Sequence, residues 1–162
     1  MSIRPVIPDD AAGINAIYNH YIRETPITFD IEEWDLASRE AWIRAHAGGR
    51  HQVWVAMDDD RVAGYASTGP WRTKAAYERC VETSIYLAPD YVGRGLGRAL
   101  YTALFEAVDG HDIHRFLAGV TMPNEVSVAI HEMFGFRQVG YFTEQGYKFG
   151  RYWDVAWFER AV

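Results

Sequence analysis

The chain has 162 residues, enough for one domain with one sizeable core, and its 49% hydrophobic and 23% charged residues are an ordinary globular balance. A net charge of -6 gives it no general attraction for nucleic acid or for anionic membranes, so neither is expected as a partner. The lone Cys80 excludes an intramolecular disulfide and a CxxC zinc framework, no apolar run approaches the roughly 20 residues of a membrane span, and the N-terminus lacks the apolar core of a secretory leader, so a cytoplasmic protein is expected.

Asp9 or Asp10 can cap a first helix, along which Ile14, Ile17, Tyr18 and Tyr21 recur at helical spacing. A second helix is predicted from near Asp35 to Gly48-Gly49. Gln52 to Met57 reads as a strand, Asp58-Asp59-Asp60 as a turn and Val62 to Ala66 as the returning strand, a hairpin with an acidic tip. Carboxylates adjacent in sequence point different ways, so the tip reads as a solvated turn and not as a metal site. Gly69-Pro70 breaks the pattern. From Val81 to Leu87 the chain alternates, with Val81, Thr83, Ile85 and Leu87 on one face and Glu82, Ser84 and Tyr86 on the other. Pro89-Asp90 ends that strand, and a helix follows with Leu96, Leu100, Leu104 and Val108 on one stripe. Arg115 to Val120 is another strand, Asn124 to Phe134 a helix closed by Gly135, and Phe136 to Tyr141 and Asp154 to Phe158 the last strands. Without repeat or linker, residues 1–162 read as one mixed α+β domain with two strand–turn–helix units in the second half. His111 and His114 have no third ligand in view and are read as loop residues, and no metal is expected.

Gly93-Arg94-Gly95-Leu96-Gly97-Arg98 lies between a strand and an amphipathic helix. Glycines there let the backbone approach a ligand, and the free N–H groups of a helix's first turn form an anion site suited to a pyrophosphate, with Arg94 and Arg98 adding charge. The spacing is neither GxGxxG nor a GK[ST] loop. A flexible turn with two solvated arginines is the alternative.

Val92-Gly93-Arg94-Gly95-Leu96-Gly97 resembles the [Q/R]xxGxG/A signature of the GNAT acetyltransferase superfamily, with Val92 where Gln or Arg is usual. Asn124-Glu-Val-Ser127, His131 and Phe134-Gly135-Phe136 also look like that family, in which Asn124 and Ser127 would lie along the cofactor. Gly69-Pro70-Trp71-Arg72, Ala76-Tyr77, Glu82, Asn19-His20-Tyr21-Ile22, Gly146-Tyr147-Lys148 and Trp153-Asp154-Val155 are similar to the phosphinothricin acetyltransferases and their methionine sulfoximine-acetylating relatives, from about Ile3 to Phe158. The resemblance implies a three-layer α/β/α fold, with a strongly bent, splayed mixed sheet, helices on both faces and acetyl-CoA in the splay. It also implies a homodimer.

Transfer of an acetyl group from a thioester to an amine needs a deprotonated amine, a stabilised oxyanion and a departing thiolate. Direct transfer in a ternary complex leaves Cys80 with nothing to do. Glu82 stands at the family's catalytic carboxylate and is the candidate base, worth about 10²–10⁴-fold. Its alternative is to pair with Arg79 or Arg72. Backbone N–H groups of Ile85, Tyr86 and Leu87 would bond the acetyl carbonyl and the pantetheine. The superfamily often uses a tyrosine as acid; here that position carries His131, which can donate near neutral pH or simply pack or cap, and Tyr86 and Tyr147 are further candidates. Arg72 is expected to bind a substrate carboxylate or to lie on the surface, and Phe29, Trp71, Thr73 and Tyr77 to wall the pocket with Glu82. Lys74 replaces an Arg that phosphinothricin acetyltransferases often carry. The acceptor is expected to be a small amino acid analogue of the phosphinothricin or methionine sulfoximine/sulfone type. The alternatives are a protein or peptide N-acetyltransferase and a non-catalytic acetyl-CoA sensor; a base at Glu82 speaks against the sensor.

Overall fold

The computed structural model describes residues 1–162. A short first strand that the sequence pattern does not announce, β1 (Ser2–Pro5), leads into a single 3-10 turn and then α1 (Ala11–Glu24). Asp10 caps the turn and not the helix: its carboxylate accepts the Ile7 N–H at 2.8 Å and both Arg4 guanidinium nitrogens at 2.8 Å. The helix α2 (Leu36–Ala45) starts as predicted, with the Asp35 carboxylate accepting the Ser38 N–H at 2.7 Å. It stops before Gly48 because β2 (Ala47–Gly48) pairs with the start of β3 (His51–Asp58).

The acidic hairpin forms between β3 and β4 (Arg61–Pro70), and β4 continues through Gly69-Pro70, paired with β5 (Cys80–Leu87) to its last residue. Then come α3 (Leu96–Val108), β6 (Arg115–Met122), α4 (Glu125–Met133), β7 (Arg137–Lys148) and β8 (Arg151–Ala161). The last two strands are longer than their sequence pattern indicates, because register shifts between Gln138 and Gly140 and between Phe142 and Gly146 interrupt the alternation.

The open, mixed sheet runs β1-β3-β4-β5-β6-β8-β7, with β2 beside β3. Every pairing is antiparallel except β5 with β6. That parallel pairing lasts for three residue pairs, Cys80 with Arg115, Val81 with Phe116 and Glu82 with Leu117. Beyond it the strands part, while β5 stays on β4 as far as Leu87 and β6 stays on β8 as far as Met122. The sheet is thus two sub-sheets joined at one corner, with separate cores: Val55, Tyr65 and Leu100 belong to one, Phe116, Ala156 and Phe158 to the other.

Strand β5 shows which helices cover which face. Tyr86 packs edge-on against Tyr18 and Tyr21 of α1, whereas Ile85 and Leu87 approach Gly97 of α3. Helices therefore flank the sheet on both sides. None of them is long and apolar enough to cross a membrane.

Candidate active site

The splay opens onto the N-terminus of α3. Gly93 and Gly95 have φ of 81° and 78°, the left-handed region that favours glycine, and a Cβ at either would stand in open space. The N–H groups of Gly93 to Arg98 find no acceptor in the protein, the first backbone bond of the helix being Ala99 N–H to Gly95 O. Leu96 turns its side chain into the core, so only its amide faces the loop's outer side. Gly97 serves close packing: a Cβ there would lie 2.9 Å from Ile130 Cδ1 of α4. Arg94 and Arg98 are exposed, Arg94 over the Tyr91 ring at 5.2 Å. This cradle of unpaired amides fits a pyrophosphate.

From the cradle a cavity of about 310 Å³ follows β5 inward, lined by Tyr21, Leu87, Val92, Asn124 and Ser127 among others. Asn124 Oδ1 accepts the Ser127 N–H at 3.1 Å and caps α4. On β5 the Ala88 N–H donates to Ala63 O at 2.9 Å, so alternation turns the Tyr86 and Ser84 amides toward β4 and those of Ile85 and Leu87 toward the open edge. Leu87 O on that edge accepts the Tyr21 hydroxyl at 2.8 Å. An extended chain bearing amides, such as a pantetheine arm, fits beside this edge as a strand would. The splay narrows to a recess of about 50 Å³ that reaches Tyr101 and His131.

Glu82 faces the other side of β5. Its carboxylate is half-buried, has no hydrogen-bond partner in the protein and joins no ion pair within 4.0 Å. Arg79 is taken by Asp112 at 3.0 Å, which removes it as a partner. Burial raises the Glu82 pKa, and the nearby positive charge of Arg72 offsets part of that rise. Beside Glu82 a trough of about 390 Å³ runs along facing residues of β4 and β5: Gly69 with Glu82, Ser67 with Ser84, Tyr65 with Tyr86. Tyr18, Trp34, Arg39 and Trp42 roof its inner end. Those four, with Ser67 and Ser84, escaped the sequence analysis. The trace that could have found them is the spacing of Arg39 and Trp42 on one helix face, with Trp34 just before the helix.

The expected wall residues are placed differently from one another. Trp71, Arg72, Thr73 and Tyr77 lie on the segment between β4 and β5, outside the trough, with the Trp71 and Tyr77 rings edge-to-face at 5.1 Å and the Arg72 guanidinium 4.8 Å from the Trp71 ring. Phe29 packs on Gly146 of β7, where a Cβ would be 2.2 Å from its ring, and does not line the trough.

His131 needs correction as a donor near neutral pH. It is 3% exposed, and burial pushes its pKa down. Nδ1 lies 2.6 Å from the Ser127 carbonyl, which can only accept, so the ring proton sits there and Nε2 accepts from the Tyr101 hydroxyl at 3.0 Å. A neutral ring with both nitrogens engaged has no proton to give. Tyr86 faces the trough, its hydroxyl pKa raised by burial, and Tyr147 lies exposed against Tyr152 at 4.9 Å. Tyr86 also borders the recess of the splay, whereas Tyr147 does not line it. No group of three or more His, Cys, Asp and Glu stands close enough to hold a metal.

Several motif residues hold the walls in place. Asn19 exchanges two hydrogen bonds with Trp34, at 2.9 and 3.0 Å, latching the loop before α2. Buried Lys148 donates to Thr28 O at 2.8 Å. Asp154 accepts the Glu144 N–H and the Tyr141 hydroxyl, each at 2.8 Å, across the irregular stretch of β7.

Comparison with known proteins gives a consistent picture. Residues 3–157 match the family described as Acetyltransferase (GNAT) domain. The phosphinothricin N-acetyltransferase of Streptomyces coelicolor is 47% identical, over 100% of this chain and 96% of its own. The L-methionine sulfoximine/L-methionine sulfone acetyltransferase of Pseudomonas paraeruginosa is 36% identical, over 98% and 92%. The crystal structure of a GNAT superfamily phosphinothricin acetyltransferase from Sinorhizobium meliloti, in complex with acetyl-CoA, superposes with a TM-score of 0.94 at 28% identity, covering 99% of this chain and 88% of that one.

Proposed function

We propose, from the premise that this chain belongs to the GNAT acetyltransferase family, that it transfers the acetyl group of acetyl-CoA to the α-amino group of a small amino acid analogue of the phosphinothricin or methionine sulfone type. The observation that carries the proposal is the division of β5. Its open edge offers unpaired amides to a thioester arm, while its opposite face offers an unpartnered carboxylate to an amine.

The amides of Gly93 to Arg98 hold the pyrophosphate, and the β5 edge pairs with the pantetheine. Asn124 and Ser127 border its path. Glu82 takes the proton of the acceptor ammonium, directly or through one water, so that the amine's lone pair can attack the thioester carbon. The Ile85 and Leu87 N–H groups face the carbonyl oxygen as charge develops on it. The C–S bond breaks as the C–N bond forms, the electron pair leaves on sulfur, and the second proton that the nitrogen sheds in becoming an amide passes to that sulfur, directly or through water, to give the free thiol. The departing sulfur takes the proton that the nitrogen releases, so no separate acid at His131 is required. Arg72, near enough to lower the Glu82 pKa, holds the acceptor's α-carboxylate at the trough mouth. The aromatic roof of the trough and its volume of about 390 Å³ favour a small molecule over a protein chain.

The active species is a homodimer. Tyr141, Phe142, Tyr147, Phe149 and Tyr152, on β7, β8 and their connection, are each 46–59% exposed, an apolar strip that a second copy would cover.

Thiol release tests the function: with acetyl-CoA, the protein is expected to liberate free thiol when given phosphinothricin, methionine sulfoximine or methionine sulfone. Silence with all three refutes the acceptor class while leaving the family intact.

A further inference from the structure

The inner end of the acceptor trough carries a charge with no direct ion-pair partner. Arg39 on α2 is 2% exposed. Its guanidinium carbon lies 4.2 Å from the ring centroid of Trp34 and 4.8 Å from those of Tyr18 and Trp42. Its only hydrogen bond within the protein is a long one, Nε to Asn15 Oδ1 at 3.4 Å, and Nη2 is buried without an acceptor. No carboxylate comes within 4.0 Å of it. Asp30 Oδ2 is already engaged by the Tyr18 hydroxyl at 2.7 Å and Trp34 Nε1 at 2.9 Å. Arginine keeps its proton even when burial lowers its pKa, as it does here, so a full positive charge stands at the trough's end. The ring faces, and the more distant charge of Asp30 behind them, compensate part of its lost hydration but give Nη2 no acceptor. Between Arg39 and Glu82, the Ser67 and Ser84 hydroxyls face each other across the strand pair, neither with a hydrogen-bond partner in the protein.

Spacing selects the ligand. Tyr18 and Trp42, over whose rings the Arg39 guanidinium lies, pack on the facing residues Tyr86 and Tyr65 at 5.2 and 6.1 Å between ring centroids, and that pair is four strand residues from Glu82, or about 13 Å along β5. An α-carboxylate, two bonds from the amine, cannot reach that far when the amine is at Glu82. An oxygen five bonds from the amine lies about 6 Å away from it. A hydrogen bond of about 2.8 Å at each end brings the span to about 12 Å. A phosphinate, sulfone or sulfoximine oxygen at the end of a two-carbon side chain is five bonds from the α-amino nitrogen.

We propose that Arg39 is the specificity-determining residue of the acceptor site, and that it binds an anionic or strongly dipolar oxygen on a tetrahedral atom at the end of an α-amino acid side chain. Ser67 and Ser84 bind that group's remaining polar atoms. The assignment rests on the acceptor reading given above and names the group by which the acceptor is chosen.

The test compares methionine sulfone with norleucine, a straight chain of similar length without the oxygens, in the wild type and in Arg39→Met. The acetyl-CoA dissociation constant and the thermal transition report the fold. Arg39→Met is expected to raise KM for methionine sulfone about 10- to 100-fold, with kcat nearly unchanged, and to leave KM for norleucine level or lower. Arg39→Lys, which keeps a cation but not the fork, is expected to fall between the two. An equal loss toward both acceptors, or an unchanged KM for the sulfone, overturns the assignment. Should Arg39→Met fail to fold, the wild type answers alone: methylphosphinate is expected to change the fluorescence of Trp34 and Trp42 saturably, and no change overturns the assignment. A wild type that neither binds nor acetylates methionine sulfone or phosphinothricin overturns the acceptor reading as well. A wild type that acetylates methionine sulfone, beside an Arg39→Met variant with unchanged discrimination, overturns the role of Arg39 alone.

Discussion

Two glycines make a matched test of the pyrophosphate cradle. Gly95 (φ 78°) precedes α3 and Gly110 (φ 77°) follows it, and at both a Cβ would meet nothing within 4 Å. Fifteen residues at about 1.5 Å of rise separate them by roughly 22 Å. Alanine at either costs about 1–2 kcal/mol, because an L-residue is forced into the left-handed region. In a chain of this length each kcal/mol lowers Tm by about 2–4 °C, so both variants should melt about 2–8 °C below the wild type. Binding should separate them. A Cβ at Gly95 stands in open space beside the cradle amides, where it is expected to displace at least one phosphate oxygen from an amide. One charge-assisted hydrogen bond is worth about 1.5–3 kcal/mol, so Gly95→Ala should weaken acetyl-CoA about 10- to 150-fold. Gly110→Ala should bind it like the wild type. Calorimetric titration with acetyl-CoA, beside thermal melts of the same preparations, reads both quantities. If the two variants melt alike and bind alike, the amides of Gly93 to Arg98 do not hold the phosphates.

Glu82→Gln is expected to lower kcat about 10²–10⁴-fold, with acetyl-CoA affinity unchanged. The same change should raise Tm at neutral pH. Burial raises the Glu82 pKa, so the folded protein holds this proton more tightly than the unfolded chain does. Wild-type stability therefore falls as pH rises from the ordinary glutamate value through the raised one, a loss the glutamine variant escapes. The Tm difference should widen over that interval and level off above it; a constant difference from pH 4 to 8 contradicts the assignment. For the dimer, Phe142→Glu with Tyr152→Glu should convert a sedimentation boundary near twice the chain mass of 18.5 kDa into one at that mass. A wild type that sediments as a monomer removes the second copy from the description.

Local chemistry was legible in the sequence wherever one short segment decides the outcome. The Asp35 cap needs only Ser38 three residues later, and the two faces of β5 follow from alternation over seven residues. The splay was beyond that kind of reading. It depends on β5 and β6 pairing for three residues and then parting, and nothing within either strand records where a partner beyond α3 lets go. Only the family resemblance supplied it. The trough's inner end was hidden for a different reason. An arginine flanked by serine and glutamate looks like part of a solvated helix face, and only folding brings Tyr18 and Trp34 around it. His131 shows the limit of position alone: its place in the motif suggested an acid, whereas the Ser127 carbonyl and the Tyr101 hydroxyl determine its proton.

The division of β5 also constrains how the reaction can be organised. Strand pairing turns the amides of alternate residues to opposite edges, while the pleat turns alternate side chains to opposite faces. Ile85 and Leu87 thus turn their amides to the donor's edge and their side chains toward α3. Glu82, Ser84 and Tyr86 line the trough on the other face and spend their amides on β4. In the proposed reaction donor and acceptor meet where the two systems converge, at the corner where β6 separates just past Glu82. A base placed two residues further along would sit beside the aromatic end of the trough, away from that corner. One placed a single residue away would face α3 and never meet the amine. The position of Glu82 is fixed by the strand's period of two together with the length of the β5–β6 pairing.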